Sequence, residues 1–125
     1  MRIFKTKWFA REASSHGISD NELYQAIQSA LQGKVVDLGG GVYKKRLNKN
    51  RDRAIILTKS AGHWFYVFLY AKQDMANISH RELMGFRELA KHYANLSEEK
   101  TTALVKSKES VSYTHLRAHE TSLHL

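Results

Sequence analysis

The sequence predicts an α+β fold in which helices pack on one face of a mostly antiparallel sheet. Three observations predict it. Two Ser-x-x-Glu capping boxes, Ser19 to Glu22 and Ser79 to Glu82, each open a segment with apolar residues at helical spacing. Between them lie three runs enriched in apolar or basic strand formers, separated by short polar turns. The length, 125 residues, corresponds to one domain able to bury a modest core.

The elements follow in order. Met1 to Lys5 alternates weakly and reads as a short strand. Thr6 to Ser15 carries Trp8, Phe9 and Ala13 and reads as a short helix, which His16-Gly17 stops. Ser19 caps a second helix, with Leu23, Ile27, Ala30 and Leu31 on one face and an end near Gly33. These two helices form an αα-hairpin. Gly39-Gly40-Gly41 breaks the chain before a basic strand, Val42 to Leu47. Asn48 to Asp52 is a polar turn, Arg53 to Lys59 a buried strand, and Ser60 to His63 the next turn. Trp64 to Lys72 has the aromatic and β-branched composition of a central strand, which completes a three-stranded antiparallel meander. Ser79 then caps a helix bearing Leu83, Phe86, Leu89, Ala90 and Tyr93. A last short helix is expected from Ser97, with Leu104 and Val105 as its stripe.

Composition narrows the function. There is no cysteine, which rules out disulfides and thiolate chemistry and is compatible with a reducing cytoplasm. No apolar run approaches the roughly 18 residues of a membrane span, and the N-terminus does not read as a secretory signal. Twenty Lys and Arg against twelve Asp and Glu give a net charge of +8. Between Lys34 and Lys59 stand eight basic and two acidic residues, so one short stretch carries most of the surplus. Clustered cations are the footprint of a polyanion partner, the alternative being a solvated face without a ligand.

The final segment, residues 110–125, stands apart from the domain of residues 1–109. Val111 to Leu125 (VSYTHLRAHETSLHL) has no clean period and holds three of the seven histidines. His115 and His119 are spaced as half a metal site on a helix. The string instead resembles a translated sequencing adapter, so the segment is expected to be non-native or disordered, and no metal or other cofactor is expected.

The elements GGGVYKKRL, RAIILTK, FLYAKQDMANIS and ELMGFRELAKHY, in that order and spacing, resemble type II toxins of the RelE/HigB/ParE superfamily. The resemblance implies a curved antiparallel sheet carrying an N-terminal αα-hairpin and C-terminal helices. It implies an endoribonuclease (an mRNA interferase) that cuts mRNA on the ribosome without a metal, and a cognate antitoxin protein that silences it. ParE-like members share the fold but inhibit gyrase, so a non-catalytic toxin or RNA-binding module is the alternative.

Cleaving RNA requires deprotonation of a 2′-OH, stabilisation of charge on the phosphate, and protonation of the leaving 5′-oxygen. Lysine and arginine meet the second need directly, and a lysine crowded by cations can exchange a proton. On the basic strand, Val42, Lys44 and Arg46 share one face and Tyr43, Lys45 and Leu47 the other. On the aromatic strand, alternation puts Phe68, Tyr70 and Lys72 opposite Phe65, Val67, Leu69 and Ala71. The resemblance favours Lys44 and Arg46 as the site-facing pair, and Arg53 matches an arginine that contacts the scissile phosphate in many members. The catalytic candidates are therefore Lys44, Arg46, Arg53, Tyr70 and Lys72. Lys45, Lys49, Arg51 and His63 are candidates for binding RNA. Each has a plainer reading: Lys44 and Lys45 as solvated charges, Arg53 as a turn residue paired with Asp52, Tyr70 as core, His63 as an exposed turn residue.

Because residues 111–125 carry no coherent apolar stripe, their deletion should leave the melting temperature almost unchanged. A fall of many degrees, read by circular dichroism, would make the segment integral to the fold.

Overall fold

A computed structural model describes residues 2–58, 63–94, 111–114 and 121–124. The order is β1 (Arg2–Lys5), α1 (Lys7–Ser15), α2 (Asp20–Leu31), β2 (Val36–Gly39), β3 (Val42–Leu47), β4 (Asp52–Leu57), β5 (His63–Ala71), α3 (His80–Ala94), β6 (Val111–Thr114) and β7 (Thr121–His124). The helix expected from Ser97 and the pair His115 and His119 lie outside the described residues.

The fold is α+β, as the sequence predicts, and several details differ. β2 was not expected; it pairs antiparallel with β3 and extends the meander to four strands, β2-β3-β4-β5. β1 joins the other side of β5 in parallel, with Phe4 in register with Phe65. The helices cover both faces of the sheet rather than one. On one face α1 and α2 pack Phe9, Ala13, Leu23 and Ile27 against Ile3, Leu47, Ile56, Tyr66 and Leu69. On the other, α3 lays Leu83, Phe86, Leu89 and Tyr93 over Phe4, Val42, Leu57 and Phe65. Two separate apolar stripes on the chain therefore meet two faces of one sheet.

Caps fix the helix starts. The Thr6 hydroxyl accepts from the Phe9 amide, and the Ser19 hydroxyl from the Glu22 amide. At α3 the box is reciprocal: the Glu82 amide donates to Ser79 Oγ at 3.1 Å, and the Ser79 amide to Glu82 Oε1 at 2.9 Å. At α2 it is only half used, because Glu22 Oε2 accepts instead from the Asn48 amide at 2.6 Å. Lys5, buried at the end of β1, is paired with Asp20 in the first turn of α2. Tyr66 donates its hydroxyl hydrogen to the Leu23 carbonyl at 2.7 Å, tying the central strand to the same helix.

Strict alternation fails in β5. Ile55 is in register with Phe68 but Ile56 with Tyr66, so Val67 is an extra residue, a β-bulge. Phe65, Phe68 and Tyr70 therefore face α3, while Tyr66 and Leu69 face α1 and α2. The expected grouping of Phe65 and Val67 with Leu69 is corrected by this one inserted residue. His63 also moves, from a turn to the first residue of β5.

No element was expected in the last segment, yet β6 and β7 pair antiparallel, and β7 runs parallel along the outer edge of β1. The edge it meets is short, three residues of register from Ile3 to Lys5.

α3 is pinned to the β2–β3 turn by Arg87, which donates through Nη2 to the Leu38 carbonyl at 2.6 Å. Its stem passes over Gly40, which has φ +65°, and a Cβ there would stand 2.7 Å from Arg87 Cγ. Gly40→Ala should therefore cost about 2 kcal/mol, combining left-handed strain with displacement of Arg87. Urea unfolding would read the loss as a lower midpoint with an unchanged slope.

Candidate nucleic-acid interface

The register of the meander sets the site. Arg46 stands directly across from Arg53, and Arg53 directly across from Tyr70. One row further, Lys44 faces Ile55, and Ile55 faces Phe68. Like charges directly opposed across an antiparallel pair are unfavourable on their own. α3 covers the Val42–Leu57–Phe65 end of this face, and the chain between β5 and α3 borders the other end. What stays open is a cleft of about 250 Å³ lined by Val36, Lys44, Arg46, Arg53, Lys72 and Ala76.

Four of the five residues expected to be catalytic thus share one cleft, and its lining holds no carboxylate. Each cation is held differently. Lys44 donates to Asn77 Oδ1 at 3.0 Å. Arg53 is buried, and its Nη1 donates to the carbonyls of Asn50 at 3.1 Å and Asp52 at 3.0 Å. Its contact with Asp52 is to the backbone carbonyl, so the plainer reading, a turn residue paired with that carboxylate, does not hold, and the guanidinium keeps its full charge. Arg46 and Lys72 are exposed. The chemistry of such a set suits a phosphate: Arg53 is oriented by two carbonyls, Lys44 is held by Asn77, and Arg46 and Lys72 present exposed charges.

The fifth residue, Tyr70, lies in the same row but not in the cleft lining. Its hydroxyl is enclosed and has no hydrogen-bond partner among the described residues. Burial raises its pKa above the usual phenol value; Arg53 pulls it back, and Glu82 adds to the rise. Tyr70 is core, the plainer of its two readings.

The residues expected to bind RNA do not assemble with the cleft. Lys45 points to the other face, where its ammonium donates to Ser29 Oγ at 2.9 Å and the Lys34 carbonyl at 2.6 Å. Burial first, then Lys34 and Arg46, lower its pKa. Lys49 is exposed in the β3–β4 turn with φ +55°. Arg51, also exposed, lines a different cavity. His63 sits at the far end of β5, about 23 Å along the strand from Tyr70 at ~3.3 Å per residue. There its ring lies edge-on to Phe4 at 5.6 Å.

Sequence reasoning missed that second cavity. It has a volume of about 560 Å³, and His16, Asn50, Arg51, Gln73 and Asp74 are among its walls, with Lys72 common to both cavities. His16 Nδ1 lies 3.0 Å from Asp52 Oδ2, a buried carboxylate that also accepts from Asn48 Nδ2 at 3.0 Å. The polar run from Asn48 to Asp52 was the available signal, but nothing in it indicated that His16 would fold against it. No group of three His, Asp or Glu side chains among the described residues is placed to hold a metal ion. No helix among them is long and apolar enough to cross a membrane.

Tyr70→Phe removes an unpartnered buried hydroxyl, so at neutral pH it should leave stability unchanged or raise it by about 1 kcal/mol. The sign with pH is defined. The folded state keeps the phenol proton above the usual value of 10.0, where the unfolded chain releases it. That contribution is complete below pH 10 and lost as pH rises through the folded pKa. The variant should therefore lose less stability than the parent above pH 10, in melting curves taken across that range.

A family model for the RelE toxin of the RelE/RelB toxin–antitoxin system matches residues 1–112, a span from β1 into β6. No curated protein and no solved structure gives a significant match. The match takes in every strand and helix that builds the cationic cleft, and on it the chain belongs to the RelE toxin family.

Proposed function

We propose that this toxin is an endoribonuclease that cleaves mRNA on the ribosome and so inhibits translation in the cytoplasm, held in check by a cognate antitoxin protein. The observation that carries the reading is the cleft of four cations, Lys44, Arg46, Arg53 and Lys72, without a carboxylate in its lining. In this reading the scissile phosphate sits against Arg53 and Arg46. A ribose 2′-oxygen attacks phosphorus, the bond to the 5′-oxygen breaks, and the products are a 2′,3′-cyclic phosphate and a 5′-hydroxyl. The guanidinium groups stabilise the charge that develops on the non-bridging oxygens. Lys44 and Lys72 stand at the two sides of the cleft as the groups available to move protons. No metal or cofactor is required by this scheme. The ribosome would order the message, and the remaining basic surface would contact ribosomal RNA phosphates.

Two observations favour a second reading, a non-catalytic toxin in the manner of ParE-like gyrase inhibitors. The cleft lining has no histidine, and the Tyr70 hydroxyl is enclosed.

Single-turnover cleavage on programmed ribosomes, with pelleting for binding at two salt concentrations, separates the readings. Arg46→Ala removes an exposed side chain, so the fold should survive, and cleavage should fall by about a hundredfold. Arg53→Ala should do at least as much damage. Both should weaken ribosome binding far less, since each cation supplies only a share of it. Lys49→Ala is the control: slightly weaker, less salt-dependent binding and nearly intact cleavage. Equal loss of binding and cleavage in all three would leave the cluster as an electrostatic footprint only. Absence of any new mRNA 5′ ends in primer extension from induced cells would favour the non-catalytic reading.

A further inference from the structure

The β2–β3 ladder stops at the pair Val36 and Lys44, so beyond it β3 has no strand neighbour on that side. Residues from both faces of β3 can therefore line one space at this open edge. A third cavity, of about 270 Å³, opens there between Lys34, Val35, Val36, Lys44, Lys45 and Arg46. Four of these six residues are cations and none is a carboxylate. The cavity shares Val36, Lys44 and Arg46 with the cationic cleft, whereas Lys34 and Lys45 lie outside the cleft lining.

Lys45 is set up differently from its neighbours. It is half-buried, and its Nζ is held between Ser29 Oγ at 2.9 Å and the Lys34 carbonyl at 2.6 Å. Burial first, then the charges of Lys34 and Arg46, hold its pKa below the usual lysine value of 10.5. Desolvation and a neighbouring cation are the conditions that turn a lysine into a nucleophile. An ammonium has three hydrogens to donate and a neutral amine two. The two acceptors around Nζ match the two hydrogens of the amine, and its lone pair is then directed away from both.

We infer that Lys45 is an acylation site, and that the pocket around it takes an acyl phosphate as the donor. The inference is independent of RNA cleavage in the cleft. The phosphate group lies against Lys34, Lys44 and Arg46, and Val35 and Val36 give a short acyl chain an apolar wall. Lys45 releases one proton to solvent, and its lone pair attacks the acyl carbon. An N–C bond forms, the C–O bond to phosphate breaks with its electron pair, and inorganic phosphate leaves. The nitrogen gives a second proton to solvent and becomes a neutral amide, and nothing is oxidised or reduced. The surrounding cations stabilise the charge on the departing phosphate. Loss of the Lys45 charge lowers the positive potential beside the cleft.

The test treats the full chain at neutral pH with acetyl phosphate and, in parallel, with acetic anhydride, an acyl donor without phosphate. Peptide mass spectrometry follows each site in time, with Lys49, exposed in the β3–β4 turn, as the internal reference. Acetyl phosphate should modify Lys45 about tenfold faster than Lys49. The preference should be smaller with the anhydride, and excess inorganic phosphate should reduce it for acetyl phosphate alone. Lys34→Ala should lower the preference with acetyl phosphate more than with the anhydride. Lys45→Arg keeps a cation in place, and the fast site should vanish. Modification of Lys45 no faster than of Lys49 overturns the acylation site. A preference equal for both donors and unmoved by inorganic phosphate overturns the acyl phosphate as donor. Fast labelling that passes to a neighbouring lysine in Lys45→Arg overturns the assignment to Lys45.

Discussion

The β-bulge at Val67 determines what each face of the sheet presents. Without it, Phe65 and Tyr70 would fall on opposite faces of β5, and the aromatic stripe would split. With it, Phe65, Phe68 and Tyr70 all join the cluster under α3, while Tyr66 and Leu69 stay under α1 and α2. Two cores are served by one strand because one residue is left unpaired. On the far side of the bulge alternation is unbroken: Tyr70 lies in the core in register with Arg53, and Lys72, past the strand end, lines the cleft.

The second constraint is charge. Arg46 and Arg53 are direct cross-strand partners, and Lys44 and Lys72 share their cleft. A sequence under selection for stability alone would place opposite charges or apolar residues at such positions. Arg53 is also buried, with carbonyls and not a carboxylate as its acceptors. A carboxylate there would neutralise the group; carbonyl oxygens orient it and leave it its full charge. Local destabilisation of this kind is characteristic of a site kept for a ligand.

Much of this was legible in the sequence. Capping boxes at Ser19 and Ser79 gave both long helices, and strand parity on Val42 to Leu47 correctly separated Lys44 and Arg46 from Lys45. Family resemblance supplied Arg53, which composition and parity alone do not distinguish from a turn residue. What failed did so for physical reasons. Alternation cannot reveal a bulge, so it puts Phe65 and Val67, which precede Phe68, on the wrong face of β5. β2 is four residues long, begins with exposed Val36 and ends in glycine, and is a strand because β3 offers it an edge. The placement of α3 on the opposite face rests on long-range packing of its apolar stripe, with Arg87 reaching the Leu38 carbonyl 49 residues away in sequence. The strands β6 and β7 have no periodic signal and exist as partners of each other and of β1.

The αα-hairpin looks remote from the cleft, but it governs the cleft through one turn. In the β3–β4 turn, Lys49 at positive φ is strained by about 1 kcal/mol or more, and it stands between Asn48 and Asn50, also at positive φ but of a residue type that tolerates that region. Asn48 holds that turn by three bonds: its amide to Glu22 Oε2 at 2.6 Å, and its side chain to the His16 carbonyl at 3.1 Å and Asp52 at 3.0 Å. Glu22 is free for this because it leaves its capping box half made. The turn in turn presents the Asn50 carbonyl, one of the two acceptors that fix Arg53. Position therefore passes from the start of α2, through Glu22 and Asn48, to the guanidinium that faces the cleft. A rigid helical pair on one face of the sheet is what allows a strained turn, and the charge it aims, to persist on the other.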